Sequence, residues 1–151
     1  MIRGGLSSPV GNLTVTVDDG AVTVVEWRTH LDVPDDPTMY RAIAQLQAYF
    51  AGDLQKFDLP IRPRASVFQA AFYAALCEIP YSETKTYGDL AKELDVSAQA
   101  IGQACGGNPI PIVIPCHRVL AVTGLGGFSG GGGIDAKVGL LRLEGAASLL
   151  I

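Results

Sequence analysis

A cysteine and a histidine stand side by side at Cys116 and His117, after the apolar, proline-punctuated run 108–115. A thiolate is the strongest nucleophile that side chains offer near neutral pH, and an imidazole is its usual activating base. Neighbouring side chains of an extended strand point to opposite faces, so pairing requires a bend at Pro115 or a linking water. The alternative is a buried, inert cysteine followed by a surface His–Arg pair.

Glu144 is the best remote partner for His117, because it is a lone acid at an otherwise apolar helix end. A relay from Cys116 through water and His117 to Glu144 would lower the pKa of the thiol and favour the thiolate. The other cysteines, Cys77 and Cys105, make an odd count, which indicates reduced thiols. No cysteine spacing is typical of a zinc site, so no metal is predicted.

The composition predicts a compact globular protein: 48% of the residues are hydrophobic and 17% are charged. No apolar run is long enough to span a membrane, and the N-terminus lacks the apolar region of a signal peptide, so we expect a cytoplasmic protein. The net charge of −4 does not indicate nucleic-acid binding, so any DNA contact must come from local features.

The first third of the chain has the pattern of a small sheet packed on a helix. Dense β-branching around the turn signal 18–20 predicts a hairpin, and apolar residues at helical spacing follow a polar loop over 30–37. Two prolines indicate a linker after the helix. The predicted elements are strands at Ile2–Leu6, Leu13–Val17 and Ala21–Trp27, a helix at Met39–Ala51 and a linker at Phe57–Ala65.

The remainder has helical periodicity, so the sequence predicts an α+β fold with an N-terminal domain at 1–60 and a C-terminal domain at 66–151. Helices are expected over 66–77, 86–94, 97–105 and 135–144, with a capping box formed by Thr86 and Asp89. Two short helices with a brief break between them are typical of a helix-turn-helix, although the spacing alone favours an ordinary αα-corner.

A glycine cluster covers 124–133 and has two interpretations. Glycine permits positive φ and close approach of the backbone to a ligand, so the segment is either a lid over a pocket or a flexible surface loop. It is no phosphate-binding P-loop, because no Lys-Ser/Thr pair follows the glycines.

Asn108–Val119 closely resembles the active-site signature of the O6-alkylguanine-DNA alkyltransferases. Shorter matches to this family cover most of the chain. They lie at Ser8–Leu13, Tyr49–Gly52, Phe57–Pro60, Phe68–Gln69, Ile79–Tyr81, Tyr87–Ala91, Gly126–Gly131 and Leu140–Gly145.

The resemblance implies a ribonuclease H-like N-terminal domain and a suicidal repair protein without a cofactor. Such a protein binds the minor groove of double-stranded DNA with its second helix, flips out the damaged guanine and moves the alkyl group irreversibly to its cysteine. O6-alkylguanine is the implied substrate and O4-alkylthymine a further one, with a monomer as the acting form. The implied catalytic residues are Cys116 as nucleophile, His117 as base through water, Glu144 to orient it, Tyr87 as proton donor to guanine, and Asn108 to brace the turn.

On the DNA side, the resemblance implies that Ser129 lies in the loop over the base and that the backbone of Cys116 and Val119 reads the base edge. The helix residues implied at the DNA are Ser97, Ala98, Gln99 and Ala100. The family arginine that fills the gap left by the flipped base is replaced by Gln99, and Phe128 replaces a tyrosine of the loop.

No lysine or arginine occurs over 97–105. Because phosphate contacts drive affinity, we expect weak DNA binding, with helix-end amides, Lys85 and Arg118 supplying most of it. This departure keeps an alternative open, namely an alkyltransferase-like module that binds lesions with weak or no transfer. A thiol hydrolase is a weaker alternative, because no second general base is visible.

Overall fold

The computed structural model describes residues 1–122, 124, 126 and 133–146, and it has the predicted α+β class. Its first part is an antiparallel sheet in the order β1–β2–β3, packed on helix α1, and its second part is mainly helical. In chain order the elements are β1 (Ile2–Leu6), β2 (Leu13–Asp18), β3 (Ala21–Glu26), α1 (Pro37–Phe50), α2 (Val67–Cys77), β4 (Lys85–Thr86), α3 (Tyr87–Leu94), α4 (Ala98–Gly106), a 3-10 turn (Cys116–Arg118), β5 (Val119–Leu120) and α5 (Gly133–Glu144).

The hairpin β2–β3 forms where the turn residues predict it. Asp19 and Gly20 both have positive φ, 48° and 74°, and this is the pair of conformations that a two-residue turn matched to the strand twist requires. The turn between β2 and β3 is therefore determined by its own two residues. Its inner face lies on α1, whose buried residues include Met39, Ile43 and Leu46.

Helix α1 begins at Pro37, at the end of the segment expected to be loop. Asp36 caps it by accepting a hydrogen bond from the Met39 amide at 2.9 Å. Proline suits this first position, because its missing N–H would have no partner there.

The segment Phe57–Ala65, predicted as a linker, also adds one rung to the first sheet. The Val22 amide donates to Pro60 O at 2.8 Å, and the Arg62 amide donates to Val22 O at 2.8 Å. The resulting parallel bridge pairs Val22 with Ile61. The connecting segment is thus attached to the edge of the sheet at β3.

Capping residues set the short helices of the second part. Ser66 and Thr86 each form a complete capping box, the latter with the predicted Asp89. Asp95 ends α3 in the left-handed conformation (φ 55°), and Ser97 caps α4 by accepting from the Ala100 amide at 3.1 Å. Helices α3 and α4 pack on each other, so the helix–break–helix arrangement is present; its use as a helix-turn-helix on DNA stays a prediction.

Buried apolar side chains of both parts join in one cluster. It runs from Leu13 and Val15 of the sheet, through Tyr49 of α1, to Ile114 and Leu140. Gly139 of α5 lies against the first part, since a Cβ there would come within 3.0 Å of Val10. The glycine therefore allows close approach between α5 and the loop that joins β1 to β2, besides its general helix cost of about 1 kcal/mol relative to alanine.

Candidate active site

The chain bends sharply at Cys116, as the pairing of neighbouring side chains requires. The Cys116 amide donates to Ile114 O at 2.8 Å, and the Arg118 amide donates to Pro115 O at 3.1 Å. Just before the bend, Ile112 is buried with φ 77°. A β-branched residue in this region is strained, and such strain is held only where the surroundings enforce it, often at functional sites.

Asn108 braces this bend from the end of α4. Its Nδ2 donates to Ile114 O at 2.9 Å, while its Oδ1 accepts from the Ile110 amide at 3.0 Å. Ile114 O thereby accepts from both Asn108 and Cys116. The side chain also reaches the thiol, and its hydrogen bond to Cys116 favours the thiolate.

His117 is fully buried, and its Nε2 lies 2.6 Å from Oε2 of Glu144. Burial lowers the pKa of His117, although Glu144 opposes this, so the ring is neutral at neutral pH. Because Glu144 is ionised, Nε2 carries the single ring proton and donates it. Nδ1 then holds a lone pair, and it has no hydrogen-bond partner among the described residues. A neutral imidazole with an open Nδ1 is equipped to accept a proton.

Glu144 is the centre of a buried cluster, the Glu144 hub, formed by Tyr49, Ser82, His117, Arg118 and Glu144. Oε2 accepts from Tyr49 Oη at 2.6 Å, from His117, and from Arg118 Nη2 at 3.0 Å. Oε1 accepts from Arg118 Nε at 2.8 Å and from the Ser82 amide at 3.3 Å. Burial alone raises the pKa of Glu144, but hydrogen bonds from His117, Arg118 and Tyr49 outweigh it and hold the pKa at about 2.

The thiol of Cys116 departs from the expectation of a lowered pKa. Its residue is 5% exposed, and this burial raises the pKa of Cys116 above its ordinary value. The hydrogen bond from Asn108 and the charge of Lys137 act in the opposite direction. In the resting protein the thiol is therefore protonated, because loss of solvent outweighs the charge and hydrogen bonds that favour the thiolate.

Lys137 of α5 belongs to this site and was not predicted from the sequence. The residue is completely buried, its Nζ donates to Val119 O at 2.7 Å and lies 6.0 Å from the centre of the Tyr87 ring. Burial lowers the pKa of Lys137, while Cys105 and Cys116 raise it. The only sequence signal is its place seven residues before Glu144, on the same helix, since residues seven apart share a helical face.

Tyr87 opens α3 and lies next to Lys137. Gly126 approaches it closely: a Cβ at that glycine would lie 2.8 Å from Tyr87 Oη, and its φ is 70°. Only glycine meets both conditions without strain. Gly126 of the glycine cluster therefore lies directly against the predicted proton donor.

Helix α4 presents the predicted DNA-facing residues near its N-terminus. Ser97, Ala98 and Gln99 are exposed and Ala100 is half-buried. Cys105, near the other end of the helix, is half-buried, and burial together with Cys116 raises the pKa of its thiol to about 12. Cys105 is thus a poor competitor for an electrophile. Exposed Cys77 lies outside this cluster.

Two family models match this chain in succession. The model of the 6-O-methylguanine DNA methyltransferase ribonuclease-like domain matches residues 1–63, and that of the DNA-binding domain matches residues 67–146. The chain belongs to the 6-O-methylguanine DNA methyltransferase family. The resemblance found in the sequence is thereby confirmed.

Relatives across this family support the assignment over nearly the whole chain. A methylated-DNA--protein-cysteine methyltransferase of Methanosarcina acetivorans is 39% identical and covers 92% of this chain and 95% of its own. A methylated-DNA--protein-cysteine methyltransferase of Mycobacterium bovis is 41% identical, and the match covers 92% of this chain and 89% of that one. The crystal structure of Mycobacterium tuberculosis OGT in complex with DNA has a TM-score of 0.83, with 39% identity over 94% of this chain and 91% of that one.

Arg118 does not fit the phosphate-binding role expected of it. The residue is 6% exposed, it donates twice to Glu144, and its Nη1 donates to Ile79 O at 2.7 Å. The guanidinium is held inside as the counter-charge of Glu144, so the expectation is corrected. Lys85, the other expected phosphate ligand, forms an ion pair with Glu93.

The backbone of Val119 is also engaged within the protein. Its amide donates to Cys116 O, and its carbonyl accepts from Lys137. Val119 also pairs with Lys85 in the parallel ladder of β4 and β5, so its backbone is largely used within the protein.

Phe128 and Ser129, expected in the loop over the base, lie outside the described residues. Within the described ranges, no group of three His, Cys, Asp or Glu side chains is arranged to hold a metal ion. The helices of the described chain include none whose length and apolar composition would take it across a bilayer.

Proposed function

We propose that this protein repairs DNA by one irreversible transfer of a methyl or other alkyl group from O6 of guanine to Sγ of Cys116. The observation that carries the proposal is the buried series of Cys116, His117 and Glu144, in which a neutral imidazole keeps Nδ1 open. The names of the relatives agree with this activity. O6-alkylguanine in double-stranded DNA is the substrate, and O4-alkylthymine is a further one.

The step is a displacement at the alkyl carbon. His117 Nδ1 takes the thiol proton through a water, Sγ forms the new S–C bond, and the C–O6 bond breaks with its electron pair staying on the guanine. The proton removed from the thiol is balanced by one delivered to the departing base, for which Tyr87 is the proposed donor. Because a thioether is not readily cleaved, each chain reacts once.

Lys137 supports the same step by charge. A cation close to the thiol stabilises the thiolate form, and its effect is strong because the site excludes water. The raised pKa of Cys116 keeps the thiol protonated until base and substrate are in place. We infer that the nucleophile forms at the moment of reaction, with Asn108 and Lys137 stabilising the charge as His117 accepts the proton.

Helix α4 is the proposed DNA-binding element. Gln99 is exposed near its start and can hydrogen-bond to the base left without a partner, but it lacks the charge and the forked geometry of arginine. With Arg118 inside the protein and Lys85 in an ion pair with Glu93, backbone amides at helix ends are proposed to supply most of the phosphate contacts. These features support weak DNA binding, and the backbone at Cys116 and Val119 O is proposed to contact the base edge.

The lesion-binding alternative is not favoured. A module that only recognises lesions has no need for a buried nucleophile, base and orienting carboxylate, and all three are assembled here. We further propose that the chain acts as a monomer in the cytoplasm, without a cofactor, through an N-terminal domain at 1–60 and a catalytic domain at 66–151.

The proposal is tested by intact-protein mass after incubation with duplex DNA that contains O6-methylguanine. We expect a gain of one methyl group per chain, which Cys116→Ala abolishes and Cys105→Ala leaves unchanged. DNA binding without a change in mass would exclude the transfer and restore the lesion-binding alternative.

A further inference from the structure

The Glu144 hub receives one donor from the first part of the chain. Tyr49 is the penultimate residue of α1, is completely buried, and donates from Oη to Glu144 Oε2 at 2.6 Å. The same oxygen faces Nε2 of His117, also at 2.6 Å. We propose that Tyr49 is a positioning residue that sets the proton affinity of His117 through Glu144. This inference rests on the proposed function in taking His117 as the base.

Aromatic packing fixes the Tyr49 ring from three sides. Its centroid lies 5.2 Å from that of Phe50, 5.4 Å from Phe57 and 6.3 Å from Tyr81. Phe57 belongs to the connection and Tyr81 to the second part, so the ring is clamped where the two parts meet. Because the ring is held in one orientation, the hydroxyl is preorganised to donate its hydrogen bond to Glu144.

The hydroxyl can act only as a donor in this place. Burial and the neighbouring Glu144 raise the pKa of Tyr49 far above its ordinary value, so the phenol stays protonated at any working pH. Each strong donor on Oε2 withdraws negative charge from it. Tyr49 thus makes Glu144 a weaker acceptor for the Nε2 proton of His117, which keeps the imidazole from being over-stabilised as imidazolium.

The direction of the effect follows from the groups around His117. Burial and the cations Arg118 and Lys137 lower the pKa of His117, and the carboxylate of Glu144 raises it. Without the Tyr49 hydroxyl, the carboxylate charge is shared by fewer donors, so the imidazolium becomes more stable. The titratable and charged groups around His117 and Glu144 are Tyr49 of α1, Cys116 and Arg118 of the turn, Lys137 of α5, and Tyr81 before β4. Of the two tyrosines only Tyr49 is hydrogen-bonded to Glu144, since the Tyr81 hydroxyl donates to Leu143 O.

The test compares Tyr49→Phe with Tyr81→Phe. Tyr81 Oη donates to the backbone oxygen of Leu143 at 3.3 Å, so its loss removes a hydrogen bond to the same helix without touching Glu144. In Tyr49→Phe we expect the Nε2–H proton resonance of His117 to move downfield. The acid limb of the pH–rate profile of methyl transfer should move to higher pH by roughly 0.5 to 1 unit, that is a three- to tenfold change in the proton affinity of His117. In Tyr81→Phe the His117 resonance and the pH–rate profile should both match the wild type.

Replacement of Tyr49 by 3-fluorotyrosine provides the opposite perturbation without removing the hydroxyl. Its more acidic phenol is a stronger donor, so the His117 resonance should move upfield. If both Tyr49 variants leave this resonance and the acid limb where Tyr81→Phe leaves them, Tyr49 is merely structural and the inference is overturned. The resonance is recorded without DNA. It therefore decides on Tyr49 even if the wild type gains no methyl group, an outcome that would overturn the proposed function alone.

Discussion

Replacing Glu144 by glutamine keeps the shape of the side chain but removes its charge and turns one acceptor oxygen into a donor NH2. Oε2 accepts from Tyr49, His117 and Arg118, and Oε1 from Arg118 and Ser82. Whichever way the amide is placed, its NH2 group faces donors. Arg118, 6% exposed, is left as a buried cation without its counter-charge.

Two independent routes give the size of the loss. Breaking a buried ion pair by removing one partner costs roughly 3–5 kcal/mol. Lowering the pKa of Glu144 from 4.5 to about 2 corresponds to roughly 3 kcal/mol of stability at neutral pH. We therefore expect Glu144→Gln to lose about 3–5 kcal/mol of unfolding free energy, or roughly 10 °C in Tm for a chain of this size.

The pH dependence has a definite sign. Because the folded-state pKa of Glu144 is lowered, its contribution is fully present above the unfolded value of 4.5 and is lost as the pH falls toward about 2. The stability gap between wild type and Glu144→Gln should accordingly narrow below pH 4.5. Loss of the correct His117 tautomer should also slow alkyl transfer by about 10²- to 10⁴-fold at neutral pH.

Urea unfolding followed by circular dichroism, from neutral to acid pH, measures the stability effect. Glu78→Gln is the matched control, because Glu78 is exposed and surface changes of this kind alter stability by less than about 0.5 kcal/mol. The double variant Glu144→Gln/Arg118→Met removes the stranded cation and should recover part of the loss. A Glu144→Gln protein within about 1 kcal/mol of the wild type would refute the account of the hub.

Further predictions concern the missing charge on the DNA-facing helix and the lysine charge beside the thiol. Gln99→Arg should tighten DNA binding and steepen the dependence of log affinity on log salt by about 0.9; fluorescence anisotropy at several salt concentrations measures this, and equal affinity to the wild type would show that Gln99 does not limit binding. Gln103→Arg, exposed on the same helix, is the charge-matched control and should strengthen lesion binding less. Lys137→Met should raise the pKa of Cys116 and slow its labelling by free O6-benzylguanine at pH 7 by roughly tenfold. The control Lys92→Met, at the exposed end of α3, should leave the labelling rate unchanged. Unaltered labelling in Lys137→Met would remove Lys137 from the mechanism.

The helices and the hairpin follow from local residue chemistry, which is why the sequence predicts them well. Asp19 and Gly20 suit the hairpin turn, and Ser66, Thr86 and Ser97 each cap the helix that follows. These signals act over three or four residues and need no knowledge of the fold. The rung between Val22 and Ile61 was missed because it is made by backbone atoms of residues far apart in sequence.

The site was predictable only as far as its motif reaches. Cys116, His117 and Asn108 lie in one continuous stretch, and Glu144 stood out as an acid at an apolar helix end. The sequence did not reveal which charged side chains the fold buries. Arg118 was expected at the DNA because arginine is normally exposed, yet it lies inside beside Glu144.

Lys137 and Tyr49 show the same limit. Lys137 was missed because a lysine in a helix ordinarily faces water, and nothing in its sequence neighbours reveals that α5 packs against the active-site turn. Tyr49 had a helical apolar spacing that placed it in the core. Its hydroxyl contact with Glu144 joins residues 95 apart in sequence, so only the fold discloses it.

The central claim is that Cys116 alone accepts the alkyl group, once. Peptide mapping of the protein after reaction with excess O6-methylguanine DNA tests this directly, because Cys77 and Cys105 in the same chain are internal controls. We expect S-methylcysteine at Cys116, reaching one equivalent per chain and then stopping, with no methyl on the other two thiols. Methyl on Cys105 or Cys77, or continued turnover beyond one equivalent, would contradict it.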